Sequence, residues 1–308
     1  DASLREVYDA ELDAAIEETI LKQQAEKRGY FELSAEEQQN VKYAVSEEIN
    51  GRYQYFYEIA AADNPEASSE ELSEYAKEAV EEYVAESGET DEYLQEYFTW
   101  QLVYDKLYAE ITADAEVSED TVRAQYEAYV ADDRERYTAH PEYFESDKTT
   151  NAVYFNLEGY RYVKHILVSS GDLAEEILDR TASEEFEALM EEYSEDTAAA
   201  EYIHGFAVGP NSTLYIEGFA KAAMTLENPG DISDVIELED GFHIIKYMKD
   251  IPAGAEPYED VRGAIEDTVL SQEKSRIFAE QIMLWREQSD IIIFKNVYES
   301  LFAGKDIG

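Results

Sequence analysis

From Leu4 to about Asp147 the apolar residues recur at three- and four-residue spacing, and no period-two alternation interrupts them. That pattern restricts the first half of the chain to packed amphipathic helices. Leu4, Val7, Tyr8, Leu12, Ile16, Ile20 and Leu21 form one stripe, which Gly29 stops. Ser34 with Glu37 makes a capping box that opens a second helix running to about Ala61, where "DNP" breaks it. Ser68 with Glu71 repeats the signal for a third helix ending near Gly88, Thr90 precedes a fourth carrying Leu94, Phe98, Leu102, Val103 and Leu107, and Ser118 opens a fifth.

After about Asp147 the texture changes. "NAVYFNL", "YRYVKHILV" and "IHGFAV" are strand-like, and "DLAEEILDR" and "SEEFEALMEEYS" are short helices. A helix around "GFAKAAMTL", the turn "ENPGD", a strand "ISDVIEL", the turn "EDG" and a closing strand "FHIIKYMK" follow. "IPAGAEP" reads as a linker. The last long helical stripe places Val261, Ile265, Val269, Leu270, Ile277, Ile282 and Leu284 at near-helical intervals, with no evident partner inside the mixed unit. With 308 residues the chain is long enough for two cores.

Charge and composition exclude several functions. There are 72 acidic residues against 24 basic ones, a formal net charge of −48, and from Pro65 to Glu96 Lys77 is the only base among twelve acids. Nucleic acid and anionic membrane surfaces need clustered Lys and Arg, so neither is an expected partner. Neutral or cationic partners are, although a charged surface can equally serve only solubility. Cysteine is absent, which removes thiolate nucleophiles, disulfides and Cys-ligated metals. No His pair has metal-ligand spacing, and no phosphate loop, G-x-S-x-G elbow, H-E-x-x-H or EF-hand loop occurs, so no metal or cofactor is expected. His140, in a polar loop before Pro141, and His204, in an expected strand, look incidental. The chain starts at Asp1 without methionine, from which removal of an upstream targeting segment is expected. The aromatic run Tyr53, Tyr55, Phe56, Tyr57 cannot face one core; packing between helices and a surface that holds apolar segments both account for it.

Two histidines stand in apolar strands, His165 in "VKHILV" and His243 in "GFHIIKYM". Together with "FEALMEEYSED" and "GFAKAAMTLENPGDISDVIELEDGFHIIKY", these motifs make the segment from about Tyr160 to Asp250 resemble a parvulin, a small peptidyl-prolyl cis/trans isomerase domain. The flanking "TDEYLQEYFTWQLVYDKLYAEITADAEVSEDTVRAQYEAY" and "YEDVRGAIEDTVLSQEKSRIFAEQIMLWREQS" are similar to the helices around the parvulin domain in the PrsA/SurA group of extracytoplasmic foldases.

That resemblance implies an α+β chain: a mainly helical chaperone domain built from segments 1–155 and 251–308, with an inserted parvulin-like α/β domain at 156–250. It implies that His165 and His243 lie side by side and share a hydrogen bond, and that Asp196 in "YSED" sits beside the substrate amide. Phe219 then forms the floor of the proline pocket, with Tyr215 where a Met is usual and Phe206 and Ile203 on its wall. Two departures stand out. "AAAEYIHGF" keeps only Gly205 and Phe206 of the usual glycine-rich stretch, and Leu238 takes a substrate-side position where a hydroxyl often supports the histidines. The function implied is isomerisation of Xaa–Pro bonds in exported unfolded proteins, the alternative being a holdase with a weak or inactive parvulin domain. The partners implied are unfolded or exported polypeptides rich in basic and aromatic residues and a second copy in a homodimer. A membrane would be met only through a lipid anchor outside this chain, on the outer face of a Gram-positive cell.

Overall fold

The computed structural model of the chain describes residues 2–196, 202, 204–210, 212, 214–216 and 218–294. The chain divides into two compact units, Asp1–Glu116 with Gln272–Gly308, and Val117–Ser271.

The first unit begins with α1 (Ala2–Lys27), α2 (Ala35–Asp63), α3 (Ser69–Ser87) and α4 (Asp91–Ile111). Their starts are chemical. Ser34 and Ser68 each accept from the backbone of Glu37 and Glu71, whose carboxylates bond back to the cap, and Thr90 caps α4 in the first of these two ways. Gly88 ends α3 at φ 76°, a left-handed conformation that side chains rarely adopt. In the aromatic run of α2, Tyr53 bonds Ser73 at 2.7 Å and Phe56 lies 6.1 Å from the ring of Tyr83, so these residues knit α2 to α3. Tyr55 alone of the four is exposed.

The second unit continues with α5 (Glu119–Ala139), α6 (Pro141–Thr150), β1 (Phe155–Asn156), β2 (Arg161–Val168), α7 (Gly171–Arg180), α8 (Phe186–Tyr193), β3 (Phe206–Val208), α9 (Phe219–Thr225), β4 (Ile236–Leu238), β5 (Gly241–Asp250) and β6 (Gly254–Ala255). Then comes α10 (Tyr258–Gln288), whose first residues belong to this unit and whose last belong to the first unit. Four strands form an antiparallel sheet in the order β3-β2-β5-β4. The inserted domain is therefore α+β in its strand directions. Period-two alternation on β2 and β5 separates two cores. Ile166, Val168 and Ile244 pack with Ala174 and Ile177 of α7 and Phe186, Leu189 and Met190 of α8. Val163 and Ile245 pack with Val208, Phe219 and Ala223.

Five readings of the sequence need correction. The loop expected at Pro141 is the helix α6, because Pro at the first helical position supplies a helical φ and lacks only an N–H that would be unpaired there. The expected strand "NAVYFNL" shortens to β1, and the expected linker is not free: Gly254–Ala255 pairs with Phe155–Asn156. His204 lies in the turn before β3, exposed, rather than in the strand. Leu284 faces solvent, and Phe278, Ile282 and Trp285 carry the buried stripe of α10 with Ile20, Leu21 and Leu107. Those six side chains are the centre of the first unit.

Candidate active site

In the antiparallel register Leu167 stands opposite His243 and Ile245 opposite His165, so the two histidines are diagonal neighbours on one face of the sheet. Their Nδ1 atoms are 3.2 Å apart. Both rings are buried, His243 at 1% exposure and His165 at 6%. Burial pushes the His243 imidazole below its ordinary value, against the opposing pull of its bond to Asp240, so this ring is neutral at neutral pH.

Each ring is held at its far nitrogen by a carboxylate. His165 Nε2 lies 2.8 Å from Asp196 Oδ2, and His243 Nε2 lies 2.8 Å from Asp240 Oδ1. Asp196 is carried there by a stretch stitched to β2. Glu195 N–H donates to the Leu167 carbonyl at 2.8 Å, Leu167 N–H donates to Ser194 Oγ at 3.2 Å, and Ser169 donates from backbone and hydroxyl to Glu195 Oε1, both at 2.9 Å. Asp240 sits in the tight turn between β4 and β5. Its partial burial opposes ionisation, but the bond from His243 outweighs this and holds the carboxyl below its usual range.

Sequence reasoning missed Asp240. The signal was present as the turn "EDG" directly before the histidine strand, with acid and imidazole three residues apart. Leu238, at the end of β4, packs on the apolar cluster beneath the histidines and bonds nothing polar.

An aromatic floor lies against the pair. Phe219, 2% exposed at the start of α9, has its ring 5.2 Å from His165 at 88° and 5.7 Å from His243 at 75°. Phe206 lies 5.2 Å from His165 at 67°, and Tyr215 lies 5.8 Å from Phe206 and 5.4 Å from Phe219. The contacts with the histidines are edge-on, and the three rings close the apolar side of the pair. Tyr215 donates its hydroxyl to the Ala207 carbonyl at 2.9 Å, and burial raises its pKa, which keeps it a neutral donor. Gly205 has φ 86°, and a Cβ there would stand 2.2 Å from the Val163 carbonyl oxygen. The one glycine retained from the family's stretch is therefore a position that admits no side chain. Ile203 lies outside the described residues. His140, exposed between α5 and α6, and His204 are not part of this cluster.

The loop bearing Tyr215 is anchored from α6. Buried Glu145 accepts from Ser212 Oγ at 2.6 Å, from the Leu214 backbone and from Tyr160, while Thr149 Oγ1 accepts from Ala207 N–H at 3.2 Å. Glu145→Ala strands these buried donors, and a loss of about 2–4 kcal/mol in the unfolding free energy of this unit is expected, read from the urea midpoint at unchanged slope. Burial raises the Glu145 pKa above the ordinary 4.5. Its own contribution to stability is therefore fully present below 4.5 and is lost as pH rises through the higher folded value. Glu145→Gln should flatten that part of the stability–pH curve.

No cluster of three or more His, Cys, Asp or Glu among the described residues could hold a metal ion. No helix among them is long and apolar enough to cross a membrane.

Comparison with known proteins bears on this geometry. The Rotamase family model, described as a PPIC-type PPIASE domain, matches residues 166–249. The chain is 29% identical over 217 residues to "Foldase protein PrsA" of Caldanaerobacter subterraneus subsp. tengcongensis, covering 70% of this chain and 61% of that protein. It is 24% identical over 213 residues to the protein of the same name from Clostridium tetani, covering 69% of this chain and 56% of that one. The chain thus matches less than two thirds of the length of these relatives. The crystal structure of foldase protein PrsA from Streptococcus pneumoniae matches over 96% of this chain and 90% of that one at 17% identity and a TM-score of 0.36. Residues 166–249 thus match the PPIC-type isomerase family, and the chain that carries them is PrsA-like.

Proposed function

We propose that this chain is an extracytoplasmic foldase that catalyses cis/trans isomerisation of Xaa–Pro bonds in unfolded exported polypeptides. The observation that carries the reading is the Asp196–His165–His243–Asp240 chain, buried at its two rings and set against Phe206, Tyr215 and Phe219. An Xaa–Pro amide resists rotation because twisting breaks its resonance, but no bond is cleaved and no nucleophile is needed. An apolar floor that grips the prolyl ring and excludes water, with polar groups fixed beside the amide, favours the twisted form over the planar one. In the proposed roles Phe219 and Phe206 hold the ring, Tyr215 closes the pocket, and Asp196 and the histidine pair set the field at the amide. The direct test is exchange of a proline peptide, followed by NMR with and without the full chain. Unaccelerated exchange at saturating protein would remove the isomerase reading.

The organisation we propose is a helical chaperone domain made from both ends of the chain, with the isomerase inserted at 156–250. Its support is the shared core of Ile20 and Leu107 with Phe278, Ile282 and Trp285. Exposed Tyr43, Tyr55, Ile59, Tyr75, Tyr93 and Tyr97 on α2 to α4 offer apolar contact within an acidic surface, which suits unfolded clients rich in aromatic and basic residues. A location on the outer side of the membrane, with a lipid anchor borne outside this sequence, completes the proposal and rests on the likeness to PrsA proteins. For a basic unfolded client, the association rate should fall about tenfold between about 50 mM and about 500 mM salt, while dissociation changes far less. Stopped-flow rates that ignore salt, or equal rates for an acidic client, would leave the charge with solubility alone.

A further inference from the structure

Three contacts in series join four ionisable side chains: Asp240 Oδ1 to His243 Nε2 at 2.8 Å, His243 Nδ1 to His165 Nδ1 at 3.2 Å, and His165 Nε2 to Asp196 Oδ2 at 2.8 Å. Each is of hydrogen-bond length and needs one hydrogen between its heavy atoms. Two neutral imidazoles bring one N–H each, and two carboxylates bring none. One contact in the three is then short of a hydrogen, and lone pairs would face each other across it. Filling all three takes one additional proton.

Geometry decides where that proton goes. An ionised Asp240 only accepts, so it fixes the hydrogen of His243 on Nε2 and leaves Nδ1 as a lone pair aimed at His165. His165 must then donate from Nδ1. Its Nε2 meets the carboxylate of Asp196, so the extra proton lies between these two groups. The other elements packed on the pair contribute Phe206 from β3 and Phe219 from α9, which do not titrate, and Tyr215 stands beyond those rings. Among the described residues Asp196 and Asp240 are the charged groups at the pair.

We propose that Asp240 is a positioning residue of the isomerase site: its carboxylate fixes the His243 tautomer and thereby obliges the His165–Asp196 couple to retain one proton. The proposal rests on the isomerase reading for its kinetic consequence, but not for its structural one. Without that hydrogen two acceptors would face each other at Nε2 and Oδ2, and the contact would lose its hydrogen bond. Loss of the Asp240 acceptor should therefore slow isomerisation.

Asp240→Leu and Asp240→Asn separate the two parts of the claim. The side chain is about half exposed, at 47%, so neither change should unfold the domain. Leu removes the acceptor; kcat should fall about tenfold across the pH range with KM nearly unchanged, because the geometry is lost and the floor is kept. Asn keeps an acceptor oxygen while removing the charge; it should recover most of the rate. Nitrogen NMR of the imidazoles in the full chain reads the tautomer directly. Hydrogen on Nε2 of His243 in the wild type, lost in Asp240→Leu and kept in Asp240→Asn, supports the proposal. Hydrogen on Nδ1 of His243 in the wild type, or an Asp240→Leu variant with the kcat of the wild type, overturns it. If the wild type proves inactive, the isomerase reading fails while the ring spectra still decide the role of Asp240.

Discussion

His165→Ala or His243→Ala should lower kcat/KM for a proline peptide by about 10–100-fold, while suppression of client aggregation stays within about twofold of wild type. The size of the first effect follows from what the rings hold. Each is buried, each touches Phe219 edge-on, and together they join Asp196 to Asp240. Removing either leaves a void against the floor and breaks the bond that ring makes to Asp196 or Asp240, and displacement of about 1 Å at a positioning group costs on the order of 100-fold. His165→Ala should be the more damaging of the two, since it also breaks the direct bond to Asp196. The insensitivity of aggregation suppression follows from chemistry elsewhere. The exposed tyrosines of α2 to α4 belong to a unit with its own core. Proline-peptide exchange and light scattering of an aggregating client, run on one preparation with unchanged circular dichroism, check both halves. Equal loss of the two activities would refute the proposed division of labour.

What could be read from the sequence was what is local or periodic. The capping boxes at Ser34 and Ser68 span three residues, so their chemistry is complete in the string and the structure repeats it bond for bond. The histidine strands were legible because a polar ring inside "VKHILV" or "GFHIIKYM" is conspicuous, and period two fixes its face. The structure brings His165, Asp196, His243, Phe206, Tyr215, Phe219 and Leu238 to one side of one sheet. Asp240 was harder to read for a different reason. It precedes a glycine in an acidic turn, where a carboxylate is unremarkable, and only the hairpin shows that its oxygen reaches His243. Glu145 escaped likewise, since one acid among 72 gives no hint that it is the buried one. Helix α6 was missed because Pro141 reads as a breaker until one notices that it opens the helix. In α10, Leu284 fitted the spacing but not the face, because the stripe drifts along a straight helix and the rings of Phe278 and Trp285 take its place.

A chain ending at Pro257 should lose cooperative melting of its helical unit while the antiparallel sheet stays folded. The missing segment holds Phe278, Ile282 and Trp285, half of the buried cluster whose other members are Ile20, Leu21 and Leu107. Deleting one such side chain costs about 2–5 kcal/mol, so three together reach or exceed the 5–15 kcal/mol by which a typical domain is stable. What remains, α1 to α4, is bound by the α2–α3 and α2–α4 contacts but leaves α1 with little cover, and isolated helices are marginal in water. The sheet fares differently. Its cores, Ile166 with Phe186 and Leu189 on one face and Val163 with Phe219 on the other, contain nothing beyond Ile245. Ile251 still caps the sheet through its bond to the Tyr160 carbonyl, and β6 still pairs with β1. The second unit does lose Tyr258, Ile265 and Val269, which cover Val122, so α5 should loosen. Calorimetry of the full and shortened chains should show the helical transition broaden or vanish and the sheet transition persist within a few degrees. Amide exchange would assign each transition, with β2 and β5 protected and α1 exchanging freely. A shortened chain that melts like the full one, with α1 still protected, would show that the helical unit is complete without the return of α10, and the inserted arrangement would have to be given up.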